Sequence, residues 1–188
     1  MHNIILVSAT KLEHHDDKIG GIPIHTVGVG KVEAALNTKK LIDNHKLANG
    51  GGKPSRIVNF GSCGNLKDYK VGEILEINEV YDDFYGCVVP EHNPILLKHL
   101  GYRLFTTDTF YDKENTYSQH YDRMVKECDV VDMEGYAIAK VCEQEGVPLS
   151  IFKWVSDDGS SKDWEANAAV GYSNFKEMVL ESLNLLWY

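Results

Sequence analysis

This 188-residue chain is poor in the features that would place it outside the cell or on nucleic acid. Its four cysteines, Cys63, Cys87, Cys128 and Cys142, are scattered and form no Cys-x-x-Cys pair. Neither a zinc site nor a disulfide framework is therefore suggested, and the thiols are expected to be reduced packing residues. No apolar stretch reaches the ~18 residues of a membrane span. The opening "MHNIILVSATKLEHH" has neither a basic leader nor a small-residue cleavage site, so a cytoplasmic location without a membrane partner is expected. Positive charge is also short. Lys and Arg number 19 against 28 Asp and Glu, and the net charge of -9 would repel nucleic acid and anionic lipid. The glycine runs "GVGK" and "GGGKPS" do not make a phosphate loop, which needs Gly-x-x-x-x-Gly-Lys-Ser/Thr after a strand. Repeats, low-complexity tracts and interdomain linkers are missing too.

What remains is a globular composition, 43% hydrophobic and 25% charged, in a chain long enough to bury roughly two thirds of its unfolded surface as one domain spanning residues 1–188. "NIILVSA" and "IPIHTVGVG" read as strands, the second passing through Gly28 and Gly30 into the helix "KVEAALNTKKLIDNHKL". In that helix Val32, Ala35, Leu36, Lys39, Ile42 and Leu47 form a mostly apolar stripe. "RIVNFGSCGNL" reads as a short buried strand breaking at Gly61 and Gly64. "VGEILEINEVYDDFYGCVV" alternates like antiparallel or edge strands. A short "NPILLKHL" helix, the strand "YRLFTTDTF" and the helix "NTYSQHYDRMVKE" follow. "CDVVDMEG" is a strand leading into the helix "GYAIAKVCEQE", which stops at Gly146 with Pro148 beyond. "PLSIFKWVSDD" is a buried strand, and one last helix starts near "SSKDWEAN" and runs through "FKEMVLESLNLLWY". Strands alternating with helices predict a three-layer α/β/α fold around a central mixed, twisted sheet.

In open α/β sheets, ligands sit beyond the carboxyl ends of the strands. Four of the strands end there in polar or glycine-rich sequence: "SATKLE", "NFGSCG", "VDMEG" and "VSDD". Any one of these could be an ordinary turn, but together they point to a site on one rim of the sheet. In "VVDMEGYAIAKVC", Ala137, Ile138, Val141 and Cys142 form the buried face of a helix. Glu134 lies one turn before Ile138, on the inward side at the helix N-terminus. An acid there also satisfies free N–H groups and suits the helix dipole, so spacing alone leaves both Asp132 and Glu134 open between capping and function.

Taken together, "GVGKVEAALNT", "VNFGSCGNLKDYKVGEIL", "TTDTFYD", "VVDMEGYAIAKVC" and "VPLSIFKWVSDD" resemble the nucleoside phosphorylase and nucleosidase superfamily, in its order and approximate spacing. Among its members, the 5'-methylthioadenosine/S-adenosylhomocysteine nucleosidases are the most similar. The resemblance implies hydrolysis of the N-glycosidic bond of a purine nucleoside, with an adenine base and a modified 5' position, and with no metal or other cofactor. It implies that Glu134 accepts hydrogen bonds from the two ribose hydroxyls, with Met133 under the sugar. Asp157 would support protonation of the purine at N7, and Glu13 would hold or deprotonate the attacking water with help from Ser62. Phe110 would stack on the base, with the backbone of Tyr111 at its edge. Such a bond needs an acid at the leaving base, an activated water and a grip on the sugar hydroxyls.

Phosphorylases of the same superfamily replace water by phosphate, which needs cationic donors, usually arginine. This chain has only Arg56, Arg103 and Arg123, and Asn59 stands where bacterial hexameric phosphorylases place an arginine, so hydrolysis is favoured. "GSCG" itself is phosphorylase-like, and "ILVSATKLE" is similar to the opening of futalosine hydrolases. Lys153 stands where the nucleosidases usually carry an arginine near the sugar, which implies a place for it among the substrate-binding residues, and Asp132 where they often carry glutamate. Between Gly86 and Arg103 the chain is shorter than the family average, in a part that shapes the 5' pocket and the dimer contact of relatives. A homodimer is the expectation the resemblance carries. A nucleoside-binding relative without turnover is the alternative these departures raise.

Overall fold

The computed structural model describes residues 3–83, 93–112, 122, 125–157 and 164–185. Among the described residues, nine strands form one mixed sheet. β1 (Ile4–Ser8) lies between β3 (Ile22–Thr26) and β4 (Arg56–Asn65), parallel to both, and β2 (Lys18–Ile19) pairs antiparallel with β3 at the edge. From β4 the sheet closes on itself. β8 (Val130–Asp132), β7 (Tyr102–Thr106), β5 (Ile74–Asp82) and β9 (Leu149–Asp157) follow in a ring, because β9 pairs with both β5 and β4.

The strands are apolar on both faces, so both faces must be covered. In β1, Ile5 and Val7 point to one core and Leu6 to the other, following the two-residue period of a strand. Helices α1 (Lys31–Ala48) and α2 (Gly135–Glu145) cover the first face, with Ala34 and Ile42 from α1 and Ala137, Ile138 and Cys142 from α2. The second face is covered by α4 (Tyr172–Leu185), reached through the short α3 (Trp164–Asn167). Here Phe175 stacks on Phe60 with ring centroids 4.5 Å apart. The α/β fold with helices on both sides of a mixed sheet is as expected. No described helix is long and apolar enough to cross a membrane. Among the described residues, Cys63, Cys128 and Cys142 are buried and unpaired. Cys87 lies outside the described residues, and so does most of the helix expected over residues 115–127, of which residues 122 and 125–127 are described and helical.

Several local expectations are corrected. β4 does not break at Gly61 or Gly64; it runs through both and stays paired with β9 as far as Gly64 opposite Asp157, with a register shift after Cys63. The glycines mark close approaches of other groups to a continuous strand. β5 is antiparallel to β9, as one of the two expectations for it had it, but it is interior rather than an edge, with β7 parallel to it on the other side. "NPILLKHL" contains no helix. Ile95–Leu96 is instead a strand, β6, that takes the stretch of β5 beyond β9, and tertiary pairing there overrides a weak local preference. α1 buries Ala34, Thr38 and Ile42, leaving Val32, Leu36 and Leu47 exposed, because small side chains let this helix pack closely beside α2. The last helix is split in two at Gly171, where a Cβ would collide with the ring of Trp154.

Candidate active site

A cavity of about 330 Å³ opens where the carboxyl ends of β1, β4, β7, β8 and β9 converge. The register of β4 against β9 sets one wall, placing Ser62 beside Trp154 and Gly64 beside Asp157. Of the residues expected at the site, Glu13, Ser62, Phe110, Tyr111, Met133, Glu134 and Asp157 all line this cavity, and so does Asp132.

Glu13 ends a single 3-10 turn, Lys11–Glu13, that Thr10 caps through a reciprocal capping box. Far from being an exposed loop acid, it is 3% accessible. Its Oε2 accepts from the N–H of Ala9 at 3.0 Å and of Thr10 at 3.4 Å, and its Oε1 from the N–H and hydroxyl of Ser62 at 2.8 and 2.9 Å. A Cβ on residue 61 would lie 2.5 Å from Glu13 Oε1, so glycine at that point of β4 is what lets the carboxylate reach the strand.

Glu134 occupies the N-cap position of α2, yet its side chain caps nothing. It is buried and accepts from the backbone N–H of Gly30 at 2.8 Å. Gly28 and Gly30 have φ of 93° and 89°, values costly for any residue with a Cβ, and this turn aims the Gly30 N–H at the end of β8. The capping role falls to Asp132, which accepts from Gly135 N–H at 2.9 Å, from the Thr106 hydroxyl at 2.7 Å and from Lys153 Nζ at 2.8 Å. Lys153 is corrected from an expected substrate contact to a supporting cation. It is 1% exposed, is not part of the cavity lining and faces Asp132 from behind.

Burial, with Asp132 next, pushes the Glu134 carboxyl up to about 8, while Lys153 and the Gly30 N–H oppose the rise. The fold therefore favours the neutral acid. Glu134's contribution to stability is whole below its ordinary pKa of 4.5 and is lost as pH rises through about 8. Thermal unfolding followed between about pH 5 and pH 9 should show the unaltered protein losing more stability than Glu134→Gln; parallel profiles would contradict this.

Asp157 is buried at the end of β9, with its Oδ2 2.8 Å from the Ser156 hydroxyl, which also lies 3.0 Å from the Cys63 carbonyl. One hydroxyl proton serves two acceptors. Ser156 can donate to an ionised Asp157, or accept from a protonated one while donating to Cys63. Phe110 is 43% exposed rather than core, and meets the Trp164 ring edge-on at 6.0 Å. Tyr111 packs against the small cluster of Tyr81, Phe105, Cys128 and Val131. Lys31, in the first turn of α1, pairs with Asp82 at 2.7 Å, with Asp83, and with Asp108 at 3.2 Å, tying the Gly30 turn to the end of β5 and to the loop carrying Phe110. Burial and Asp82 push the Asp83 carboxyl up to about 6 despite Lys31.

Three contributors were not foreseen from sequence: the Gly30 N–H, Thr107 and Trp164. Trp164 lines the cavity, and its indole N–H donates to Ser62 Oγ at 3.0 Å. The one hint was an aromatic residue directly after the polar "SSKD". Among the described residues no group of three His, Cys, Asp or Glu is placed to hold a metal ion.

Residues 97–184 match the sequence profile of the Phosphorylase superfamily. The 5'-methylthioadenosine/S-adenosylhomocysteine nucleosidase of Exiguobacterium sp. is 30% identical over 172 residues, covering 74% of this chain and 67% of that protein. Among solved structures, such a nucleosidase from Colwellia psychrerythraea in complex with adenine superposes with a TM-score of 0.76 at 22% identity, covering 96% of this chain and 94% of that one. A futalosine hydrolase of Helicobacter pylori superposes with a TM-score of 0.72 at 19% identity, covering 95% and 97%. At these identities the two structures speak for the fold.

Proposed function

Since the chain belongs to the 5'-methylthioadenosine/S-adenosylhomocysteine nucleosidases of the phosphorylase superfamily, we propose that it hydrolyses the N-glycosidic bond of a 5'-modified adenine nucleoside and releases the free base. The observation that carries this is the set of three buried carboxyl groups, Glu13, Glu134 and Asp157, held in distinct environments around one cavity. Each environment suits a different task.

Glu13, already gripped by four donors, holds the attacking water and takes its proton. Glu134 accepts from the two ribose hydroxyls. A bound diol supplies the hydrogen bonds that favour its ionised form, and the resulting anion faces the positive charge that builds on the sugar as the bond breaks. Met133 lies under the sugar and Phe110 stacks on the base, with the backbone of Tyr111 at its edge. Asp157 gives a proton to N7 as the electron pair of the broken bond moves onto the purine. Lys153 supports Glu134 through Asp132 without touching the substrate.

A phosphorylase would have to seat a phosphate dianion against these same carboxyl groups, an unfavourable meeting of like charges in a water-poor site. Incubation with 5'-methylthioadenosine in phosphate-free buffer should release adenine at a rate that added phosphate does not raise. Release only with phosphate would overturn hydrolysis, and release from futalosine in preference to methylthioadenosine would reassign the 5' group.

The proposal extends to a cytoplasmic homodimer in which residues 1–188 form one domain. Buried, unpaired thiols suit a reducing compartment. Val32 and Leu36 are 70% and 63% exposed on one side of α1, one turn from Val29 at the rim of the cavity, an apolar strip of the kind an interface covers. Light scattering should give twice the chain mass, falling to one chain mass in Val32→Glu/Leu36→Glu; a monomeric unaltered protein would contradict the dimer.

A further inference from the structure

We propose that Trp164 is a positioning residue for the attacking water, acting through Ser62 on Glu13; this rests on the hydrolytic reading above. The indole Nε1 can only donate a hydrogen bond and an ionised carboxylate can only accept one. Ser62 Oγ stands between them, 3.0 Å from Trp164 Nε1 and 2.9 Å from Glu13 Oε1. The direction of the chain is thereby fixed: Trp164 donates to Ser62, and Ser62 donates to Glu13. A serine hydroxyl alone rotates among partners. With the indole on its oxygen, its single proton is committed to Glu13, and it is a stronger donor for accepting a bond itself.

That commitment divides the work between the two oxygens of Glu13. Oε1 is held by both the N–H and the hydroxyl of Ser62. Oε2 is held by Ala9 N–H at 3.0 Å and only loosely by Thr10 N–H at 3.4 Å, and both of those residues line the cavity. Oε2 is the oxygen at which a water can replace the weak bond. In the reaction this water passes a proton to Glu13 Oε2 as its oxygen bonds to the anomeric carbon. The carbon–nitrogen bond breaks, its electron pair goes to the base, and the base takes a proton from Asp157. Trp164 keeps the carboxylate from turning while this happens. The edge-on contact with Phe110 at 6.0 Å holds the indole in place independently of its N–H, so the two roles can be separated.

Trp164→Phe keeps the ring and removes the donor. It should lower kcat for methylthioadenosine about tenfold, or ~1.4 kcal/mol of barrier, with KM little changed, whereas Trp164→Ala should also raise KM by removing the ring beside Phe110. In a Ser62→Ala background, Trp164→Phe should change kcat less than about twofold, because the residue through which it acts is gone. The indole N–H resonance that disappears in Trp164→Phe should move in Ser62→Ala in nitrogen-15 spectra of the full chain. A Trp164→Phe enzyme as active as the unaltered one, or an effect that persists in full without Ser62, would show that the ring only packs. An unmoved indole signal with turnover intact would overturn the Trp164 proposal alone. No adenine release by the unaltered enzyme, with or without phosphate, would overturn the hydrolytic reading and the water's role with it.

Discussion

Asp157→Asn is expected to lower kcat by roughly 10² to 10⁴-fold, the range a positioned general acid supplies, while leaving the fold and substrate binding nearly intact. Asparagine has almost the same shape as aspartate and can still meet the Ser156 hydroxyl 2.8 Å away. What it cannot do is hold a transferable proton. The Ser156 arrangement sharpens the expectation, since its hydroxyl can follow either state of Asp157 by turning between that carboxyl and the Cys63 carbonyl at 3.0 Å. An amide at this position keeps a partner for the Ser156 hydroxyl but has no proton to give to a leaving base. Steady-state kinetics on methylthioadenosine would measure the loss, with thermal unfolding as a control for stability. A kcat within about threefold of the unaltered value would show that the proton comes from a group other than Asp157.

The second large effect concerns stability. Lys153 is fully buried, and burial works against its charge, yet Asp132, Glu134 and Glu13 outweigh burial and raise its pKa. Its partner Asp132 is itself buried and spends its other bonds on Gly135 N–H and the Thr106 hydroxyl. Lys153→Met therefore leaves a carboxylate uncompensated in the interior. Breaking a buried pair in this way costs about 3–5 kcal/mol, which for a domain of this size lowers the melting temperature by roughly 10 °C. The same change should weaken nucleoside binding, because Lys153 is the main charge opposing the rise of the Glu134 carboxyl. A Lys153→Met protein with unchanged melting temperature would contradict a stabilising role for the Lys153–Asp132 pair.

That pair also shows what the sequence could and could not tell. Lys153 and Asp132 each stand out in the sequence as a departure from the nucleosidase pattern, but a separation of 21 positions gives no hint that they face each other. Once the register of β4, β8 and β9 is known, they are partners in one buried charge pair. Glu134 was legible as inward-facing from its place one turn before Ile138. Its partner Gly30 lies 104 residues away, and a backbone N–H leaves no side-chain signature at all. Trp164 was missed for a related reason: in sequence it is one aromatic residue at the start of a short helix, and its contact with Ser62 bridges 102 residues.

The errors in the fold have the same origin. Of the stripe that the sequence predicts along α1 (Val32, Ala35, Leu36, Lys39, Ile42 and Leu47), Ile42 is buried and Ala35 partly so, while Val32, Leu36 and Leu47 are exposed and the helix turns its small residues, Ala34 and Thr38, toward its neighbours. Hydrophobicity alone favoured the larger side chains; close packing beside α2 favoured the smaller. β4 was expected to break at Gly61 because glycine often ends a strand, whereas here it makes room for the carboxylate of Glu13 within the strand. In both cases the deciding contact came from a distant segment. The strand ends, by contrast, were legible, since polar residues placed after apolar runs mark a rim whatever the topology.

In the proposed reaction water, not phosphate, receives the ribosyl group. The most direct measurement is to run the reaction on methylthioadenosine in oxygen-18 water with phosphate present, and to weigh the sugar product by mass spectrometry. Hydrolysis predicts free methylthioribose carrying one oxygen-18 atom from solvent in a single turnover. A sugar 1-phosphate without solvent oxygen would contradict it.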